Sequence, residues 1–403
     1  MPEPMIGAVN IALLVAVVLL GIPCLVLFIE CIAALGARRR GGLGVTPGQP
    51  SLAVLVPAHN EAYGIQATLE PLLQQLRPND RLVVIADNCS DDTASIAREA
   101  GATVIERTDP TRRGKGYALD FGLRYLANQP PDIVVLMDAD CIAEPGSIAQ
   151  IANLAYQQHR PVQATYLLEQ PTQSNPKQAV STLAFTVKNL VRPSGLKQLG
   201  LPCLLTGTGM AFPWAAFQSV SLASGNIVED MNLGLDLAIA GFPPLFCATA
   251  NVTGVLPQQE KAAETQRTRW EHGHLQTLLT QVPTLARAAW QQGRVDLLAI
   301  ALDLLVPPLS LLVTLWLASF AVATVAAGLG LSVLPMWLLV GQGVLLVVAI
   351  LSAWGKYCRA TLPLKTLAAI PLYILWKIPL YVAFLAKPET AWVRTERDLP
   401  SAK

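Results

Sequence analysis

Charged residues are scarce in this sequence. Only 14% of the 403 residues are Asp, Glu, Lys or Arg, while 52% are hydrophobic. Residues 4–29 and residues 304–355 contain no charged residue at all. A helix needs about 20 apolar residues to cross a bilayer core, so the first stretch predicts one membrane span and the second predicts two.

Paired cysteines and basic clusters are also missing. The seven cysteines are scattered without paired spacing, so neither a disulfide framework nor a zinc site is predicted, and a reducing compartment fits. The net charge is +1 and no basic block stands out, which argues against nucleic acid as a partner. His272 and His274 have no third metal ligand nearby in the sequence, so we interpret them as structural or surface histidines.

The predicted spans divide the chain into five parts. They are an N-terminal transmembrane anchor (1–36), a linker (37–50), a cytoplasmic domain ending in an interfacial helix (51–292), a transmembrane hairpin (293–355), and an interfacial or re-entrant helix with a cytoplasmic tail (356–403). Arginines at 38–40 follow the first span, and cationic residues beside a span stay in the cytoplasm. We therefore predict a multi-pass protein of the inner (plasma) membrane whose central domain is cytoplasmic.

The last apolar segment, residues 364–386, is ambiguous. It contains Lys365 and Lys377, and a charge at the centre of a span costs at least about 2.5 kcal/mol. An interfacial helix with Lys377 reaching the lipid headgroups is the first interpretation. A fourth full span is the alternative.

The central domain alternates predicted strands with predicted helices. Strands are predicted over residues 52–56, 81–86, 103–105 and 133–137, and helices over 61–76, 91–100, 116–127, 178–191, 229–240 and 265–279. This rhythm predicts an α/β fold with a Rossmann-like, mainly parallel, doubly wound sheet. A semi-apolar stretch at 285–290 is predicted to lie on the membrane.

Acidic residues stand where two of these strands end. Asp87 closes the second strand, and Asp138 and Asp140 follow the apolar run 133–137. Ligands of open α/β sheets bind beyond the carboxyl ends of the strands, and two acids there can hold a divalent cation. An Asp-x-Asp triplet alone is a weak signal, because about one is expected by chance in a chain of this length.

Four features occur in a fixed order along the domain. They are Asp87, Asp138-Ala-Asp140, Glu229-Asp230 and Gln266-Arg-Thr-Arg269-Trp270. In this order the sequence resembles the membrane-embedded family 2 glycosyltransferases, which include cellulose, chitin, hyaluronan and poly-N-acetylglucosamine synthases. Residues 57–61 and 113–116 also resemble early motifs of that family. The resemblance runs from about residue 57 to residue 276, includes the flanking membrane segments, and implies a GT-A fold.

The resemblance implies a metal-dependent, inverting glycosyltransferase that uses a nucleotide diphosphate sugar, with a UDP-sugar as the expected donor. Asp140, together with Asp138, is expected to bind Mg²⁺ or Mn²⁺, and Asp230 is expected to be the catalytic base. Two unit charges ~4 Å apart interact by about 4 kcal/mol at an effective dielectric near 20, so a cation is a natural counter-charge for a diphosphate. The expected donor contacts are Glu61, Asp87, Lys115, Asp138 and Arg269, and the expected acceptor contacts are Glu229, Gln266 and Trp270.

Each feature also has a purely structural explanation. Asp87 could belong to a turn or a helix cap, and Glu229-Asp230 could simply complement a helix dipole. Arg269-Trp270 could be a surface cation–π pair or an anchor at the membrane interface. The Gly-rich stretch 206–209 is either a tight turn or, as the resemblance implies, a neighbour of the acceptor. Their joint order favours the functional interpretation.

Three functions remain open from the sequence. The Gln-x-x-Arg-Trp motif resembles the polymerising members, so exopolysaccharide synthesis is expected first, with other polysaccharide assembly or export proteins as partners. The membrane part is small, which keeps transfer of one sugar to a lipid-linked acceptor as an alternative. A catalytically silent membrane scaffold is the alternative of another class.

Overall fold

A computed structural model describes residues 3–37, 49–169, 176–220, 222, 228–254 and 260–386. The chain divides into two compact units. The described residues of the first, here called the helical unit, are 3–37, 176–200 and 301–386. The second, here called the sheet unit, contains the described residues between 49 and 169 and between 201 and 300.

The helices, in chain order, are α1 (Glu3–Gly36), α2 (Ile65–Leu73), α3 (Thr93–Glu99), α4 (Lys115–Leu126), α5 (Ser147–Gln158), α6 (Pro176–Thr186), α7 (Arg192–Gln198), α8 (Glu229–Ile239), α9 (Glu260–Gln292), α10 (Val295–Leu305), α11 (Leu309–Gly328), α12 (Leu334–Ala353) and α13 (Ile370–Ala386). The strands are β1 (Leu52–Ala58), β2 (Arg81–Asp87), β3 (Thr103–Arg107), β4 (Ile133–Leu136), β5 (Cys141–Ala143), β6 (Val162–Leu168), β7 (Met210–Pro213) and β8 (Leu245–Gly254). Short π-helical turns follow α6 and α12, and 3₁₀ turns cover Trp214–Gln218 and Leu364–Ala369.

The sheet unit is built on one eight-stranded sheet in the order β3-β2-β1-β4-β7-β6-β8-β5. Strands β1 to β4 pair in parallel, as the strand-helix rhythm predicts. Beyond β4 the sheet is mixed, because β7 runs antiparallel to both β4 and β6, and β5 runs antiparallel to β8. The predicted α/β class is therefore confirmed, with a mixed half that the looser sequence after residue 146 does not reveal.

Helices cover both faces of the parallel half. The α2, α3 and α5 helices pack with one face of the sheet, and α4 and α8 pack with the other. Val54, Leu55, Val84 and Val135 are all fully buried as a result. Burial on both faces explains why these strands appear in the sequence as unbroken apolar runs instead of alternating patterns.

One helix is longer than predicted. Helix α9 runs continuously from Glu260 to Gln292, so it includes both the predicted helix 265–279 and the stretch 285–290. Pro283 lies within α9, between the predicted helix and this stretch. The stretch 285–290 is thus a continuation of α9, and its place on the membrane stays a prediction.

The helical unit contains four helical segments long and apolar enough to cross a membrane. They cover residues 3–36, 309–328, 334–358 and 364–384. The first three match the predicted spans, and the fourth meets the same criteria of length and composition. The position of that segment relative to a bilayer stays a prediction. Lys377 within it does not extend outwards as predicted: it is 1% exposed, and its ammonium lies 5.4 Å from the Trp376 ring centroid.

Residues 176–200 belong to the helical unit, although they lie inside the predicted domain 51–292. Helix α7 packs on α1, where Gly195 comes so close that an added Cβ would lie 2.0 Å from the Glu30 backbone oxygen. The Arg192 Nε atom lies 2.6 Å from Glu30 Oε2, and Arg192 also bonds to Asp303. This grouping depends on contacts between residues far apart in the chain, so local sequence patterns do not show it.

Candidate active site

Asp87 is held in place at the end of β2. Parallel pairing sets it opposite Arg107 of β3, and Arg107 Nη1 lies 2.6 Å from Asp87 Oδ1. The Asn88 side-chain amide donates a second hydrogen bond to the same oxygen at 3.0 Å. The N-cap of the following helix is Asp92, so Asp87 does not have the capping role that the structural explanation offered.

Arg107 is a site residue that the sequence reasoning missed. Its Nη2 atom donates to the Arg112 carbonyl at 2.8 Å and lies 3.2 Å from Asp109 Oδ2. The guanidinium also lies 5.9 Å from the Tyr117 ring centroid. Its place at the end of the strand next to Asp87 becomes visible only once β3 is paired with β2.

Asp138 and Asp140 leave the sheet directly after β4, as predicted. The Asp138 backbone N–H donates to Thr208 Oγ1 at 3.1 Å. Ligand atoms of Asp138, Asp140 and Cys141 all lie within 4.8 Å of one another. Burial raises the pKa of the Cys141 thiol well above its usual value, so it stays protonated at neutral pH. The two carboxylates are therefore the donors suited to a hard cation, and they fit Mg²⁺ or Mn²⁺.

Lys115 connects these acids to the start of α8. As the first residue of α4, it forms an ion pair with the Asp138 carboxylate and donates to the Gly207 carbonyl at 2.6 Å. Its ammonium lies 4.0 Å from Glu229 Oε1. Burial lowers the pKa of Lys115, but Asp138, Glu229 and Asp230 together raise it by more, so the ammonium remains charged.

Gly207 lies between two of the acids. It adopts φ +96°, and a Cβ there would lie 3.4 Å from Asp230 Oδ2 and 3.9 Å from Asp138 Oδ2. The Gly-rich stretch 206–209 therefore forms a tight turn and also brings backbone close to both carboxylates. The position of this stretch beside the acceptor stays a prediction.

Glu229 and Asp230 occupy the first turn of α8, where a helix dipole favours acidic residues. Burial raises the pKa of Glu229 to about 7, while Lys115 acts in the opposite direction. Burial also raises the pKa of Asp138, again against the effect of Lys115. Dipole complementarity explains why acids are tolerated here, but it does not explain why they face Lys115.

A cleft of about 200 Å³ gathers most of the predicted site residues. All five expected donor contacts line it, together with Asp140, Gln266 and Trp270. A smaller hollow of about 60 Å³ is lined by Glu229 and Asp230, and Lys115 borders both spaces. The predicted acceptor set is therefore divided, because Gln266 and Trp270 lie with the donor contacts while Glu229 lies in the smaller hollow.

Helix α9 supplies three of these side chains from one face. Gln266, Arg269 and Trp270 are spaced three and four residues apart, which places them on neighbouring turns. Gln266 is 8% exposed, and its Oε1 has no hydrogen-bond partner among the described residues. A buried acceptor without a partner, on a residue that lines a polar cleft, is suited to a hydrogen-bond donor of a ligand. His272 and His274 on the same helix are buried. Among the described residues, the group whose ligand atoms lie close enough to hold a metal ion is Asp138, Asp140 and Cys141, and it does not include these histidines.

Comparison with known proteins identifies the family. The profile described as "Glycosyltransferase like family 2" matches residues 49–273, more than half of the chain. The chain belongs to this family. The narrower resemblance to cellulose and hyaluronan synthases stays a prediction.

Two curated relatives of this family 2 glycosyltransferase illustrate its range. A 4,4'-diaponeurosporenoate glycosyltransferase of Staphylococcus haemolyticus is 37% identical over 116 residues, covering 27% of this chain and 30% of that protein. A glucosyl-3-phosphoglycerate synthase of Mycobacterium tuberculosis is 35% identical over 112 residues, covering 25% of this chain and 32% of that protein. The chain thus matches less than a third of the length of these relatives.

A solved structure confirms the fold over a larger extent. A mannosyltransferase from Pyrobaculum calidifontis, in complex with GDP-Man and Mn²⁺, aligns with a TM-score of 0.54 at 19% identity. The alignment covers 87% of this chain and 99% of that one. The predicted GT-A-like fold is therefore confirmed.

Proposed function

We propose that this protein is an inverting, divalent-metal-dependent glycosyltransferase that takes a sugar from a nucleotide diphosphate sugar, with a UDP-sugar as donor. The observation that supports this most strongly is the shared cleft. Asp87 and Asp140 come from the ends of different strands, and Arg269 comes from a distant helix, yet all three line one space. A cleft with a hard-cation site and cationic side chains suits a diphosphate.

The donor is proposed to lie along the carboxyl edge of the parallel strands. Asp87, fixed by Arg107, would accept hydrogen bonds from the ribose or base end of the nucleotide. Asp138 and Asp140 would hold Mg²⁺ or Mn²⁺, and the chemistry supplied by the bound cation is neutralisation of the leaving diphosphate. Arg269 would contact the same diphosphate, and Glu61 at the rim of the cleft would contribute to donor binding.

Asp230 is proposed to be the catalytic base. The acceptor hydroxyl attacks the anomeric carbon of the donor, its proton passes to the Asp230 carboxylate, and the bond from that carbon to the diphosphate oxygen breaks. Attack opposite the leaving group inverts the anomeric centre, so an α-linked donor yields a β-linked product. The short distance from Asp230 to the Gly207 turn beside Asp138 supports this arrangement. Trp270 offers an aromatic face for a sugar ring, with Gln266 and Glu229 as further acceptor contacts.

A growing polysaccharide at the cytoplasmic face of the plasma membrane is the first acceptor proposed. Two observations support it: Gln266, Arg269 and Trp270 line the cleft, and the described residues include four helical segments of membrane-spanning length and composition. The proposed partners are the lipid bilayer and other polysaccharide assembly or export proteins.

A single transfer to a lipid-linked acceptor is the second candidate. The small number of candidate spans in the described chain favours it, because a polymer also needs a route across the membrane. One relative is named for transfer to 4,4'-diaponeurosporenoate and not for a polysaccharide.

The test uses membranes that contain the full-length protein. They are incubated with labelled nucleotide sugars and Mn²⁺ or Mg²⁺, with an Asp230→Asn variant and an EDTA-treated sample in parallel. Incorporation that requires the metal and is lost with Asp230→Asn supports the proposal. A ladder of products indicates polymerisation, and one lipid-soluble product indicates single transfer. Equal cellular phenotypes for wild type and Asp230→Asn, without incorporation, would instead favour the silent scaffold.

A further inference from the structure

Lys115 pairs with Asp138, one of the two residues proposed to hold a divalent cation. Its ammonium pairs with the Asp138 carboxylate, and the side chains of Lys115 and Asp138 are 19% and 29% exposed. The Gly207 carbonyl accepts a further hydrogen bond from the same ammonium at 2.6 Å. Asp138 therefore already has a positively charged partner within the protein.

The surrounding charges make this lysine important for the balance of the site. Asp138, Glu229 and Asp230 all act electrostatically on Lys115, and Asp140 acts on Asp138. A divalent cation on Asp138 and Asp140 would lie close to the ammonium, and two cations at such a distance repel each other strongly at the dielectric of a partly buried site. A metal ion on Asp138 therefore repels the Lys115 ammonium, and the ammonium beside Asp138 weakens binding of the metal ion.

Lys115 lies at the boundary of two spaces. It borders both the large cleft and the smaller hollow. Its flexible four-carbon stem allows the ammonium to move between partners without a change of backbone. Lys115 is the first residue of a 12-residue helix, so backbone N–H groups beside it also favour an anion in the cleft.

We propose that Lys115 and the divalent cation compete for Asp138, and that a nucleotide diphosphate ends the competition by drawing the ammonium onto its phosphates. This inference rests on the proposed function, because it assumes a metal and a nucleotide in this cleft. Its consequence is an order of binding. The metal binds weakly to the free enzyme and tightly only together with the nucleotide.

The experiment measures binding of Mn²⁺ alone, independently of activity. Full-length protein in detergent is titrated with Mn²⁺, and the electron paramagnetic resonance signal of free Mn²⁺ is followed without nucleotide, with UDP and with GDP. Wild type should bind Mn²⁺ at least about tenfold more tightly with a nucleotide that fits. Lys115→Met and Lys115→Gln, which remove the competing charge, should each bind Mn²⁺ alone at least about tenfold more tightly than wild type.

Two matched controls separate charge from other effects. Lys115→Arg keeps a cation, so its affinity for Mn²⁺ alone should be as low as that of wild type. Lys197→Met removes an exposed lysine outside the site and should also leave the affinity for Mn²⁺ unchanged. Thermal unfolding verifies that each variant is folded.

Two outcomes would overturn the inference. One is that both neutral variants bind Mn²⁺ alone no better than wild type. The other needs no variant: wild type binds Mn²⁺ equally tightly with and without either nucleotide. Failure of the proposed function gives a different result, in which no protein binds Mn²⁺ under any condition, and this overturns both.

Discussion

The two units each contain a cluster of ionisable side chains, and the clusters differ in their access to solvent. In the helical unit, Arg192 lies between Glu30 and Asp303, and all three are at most 5% exposed. In the sheet unit, Lys115 and its acidic partners line open spaces. Charges sealed among apolar helices keep their partners, whereas charges at strand ends can exchange one partner for another. The comparison therefore predicts a structural role for the first cluster and a ligand-binding role for the second.

The largest expected effect is on catalysis in the sheet unit. Asp230→Asn should lower the rate of sugar transfer by about 10²–10⁴-fold, because proton transfer by a positioned base contributes that much. The melting temperature and nucleotide affinity should stay close to those of wild type. A variant that keeps more than half of the wild-type rate would remove Asp230 from the mechanism and weaken the contrast between the clusters.

In the helical unit, we expect a substitution to lower stability and to leave nucleotide binding unchanged. Arg192→Met should lower the free energy of unfolding by about 3–5 kcal/mol, because it leaves Glu30 and Asp303 buried without their counter-charge. The measurement is denaturant or thermal unfolding in detergent, with nucleotide affinity determined on the folded fraction.

Arg294→Met is the matched control for that variant. It breaks the more exposed ion pair between Arg294 and Asp296, which should contribute only about 0–1 kcal/mol. Equal stability of Arg192→Met and Arg294→Met would show that burial does not strengthen the Arg192 ion pairs relative to an exposed one.

A smaller effect is expected at Arg107, which acts through Asp87. Arg107→Met should weaken nucleotide binding by about 10–100-fold, since a hydrogen bond to a charged group contributes about 1.5–3 kcal/mol. Isothermal titration with UDP measures this. Combining Arg107→Met with Asp87→Asn should add little to either change alone. Fully additive losses would mean that Arg107 does not work through Asp87.

The smallest effect concerns Glu229 and appears in its pH dependence. Burial raises the pKa of Glu229 from 4.5 to about 7, so the native state binds an extra proton between those values and loses stability as the pH rises through them. Glu229→Gln lacks this loss. Relative to wild type, it should gain about 2 kcal/mol of stability between pH 5 and pH 8. Unfolding curves at both pH values test this, and a difference that is independent of pH would contradict the shifted pKa.

The sequence predicted the parts of this molecule that depend on local patterns. Asp87 and Asp138 follow buried apolar runs, so their position at the carboxyl edge of parallel strands could be predicted. Arg107 could not, because its role depends on the pairing of β3 with β2. Arg192 lies 162 residues from Glu30 and 111 from Asp303, and no local pattern connects them. The separation of Glu229 from Gln266 and Trp270 could not be predicted either, because it depends on how α8 and α9 approach the sheet.

The central claim is that one cation joins Asp138 and Asp140 to a nucleotide diphosphate. Pulsed electron paramagnetic resonance of the Mn²⁺–UDP complex tests it most directly, because it detects the magnetic coupling between Mn²⁺ and phosphorus nuclei bound to it. Wild type is predicted to show strong ³¹P coupling, and Asp140→Ala is predicted to lose the bound Mn²⁺ signal. Bound Mn²⁺ without ³¹P coupling, or an unchanged signal in Asp140→Ala, would contradict the claim.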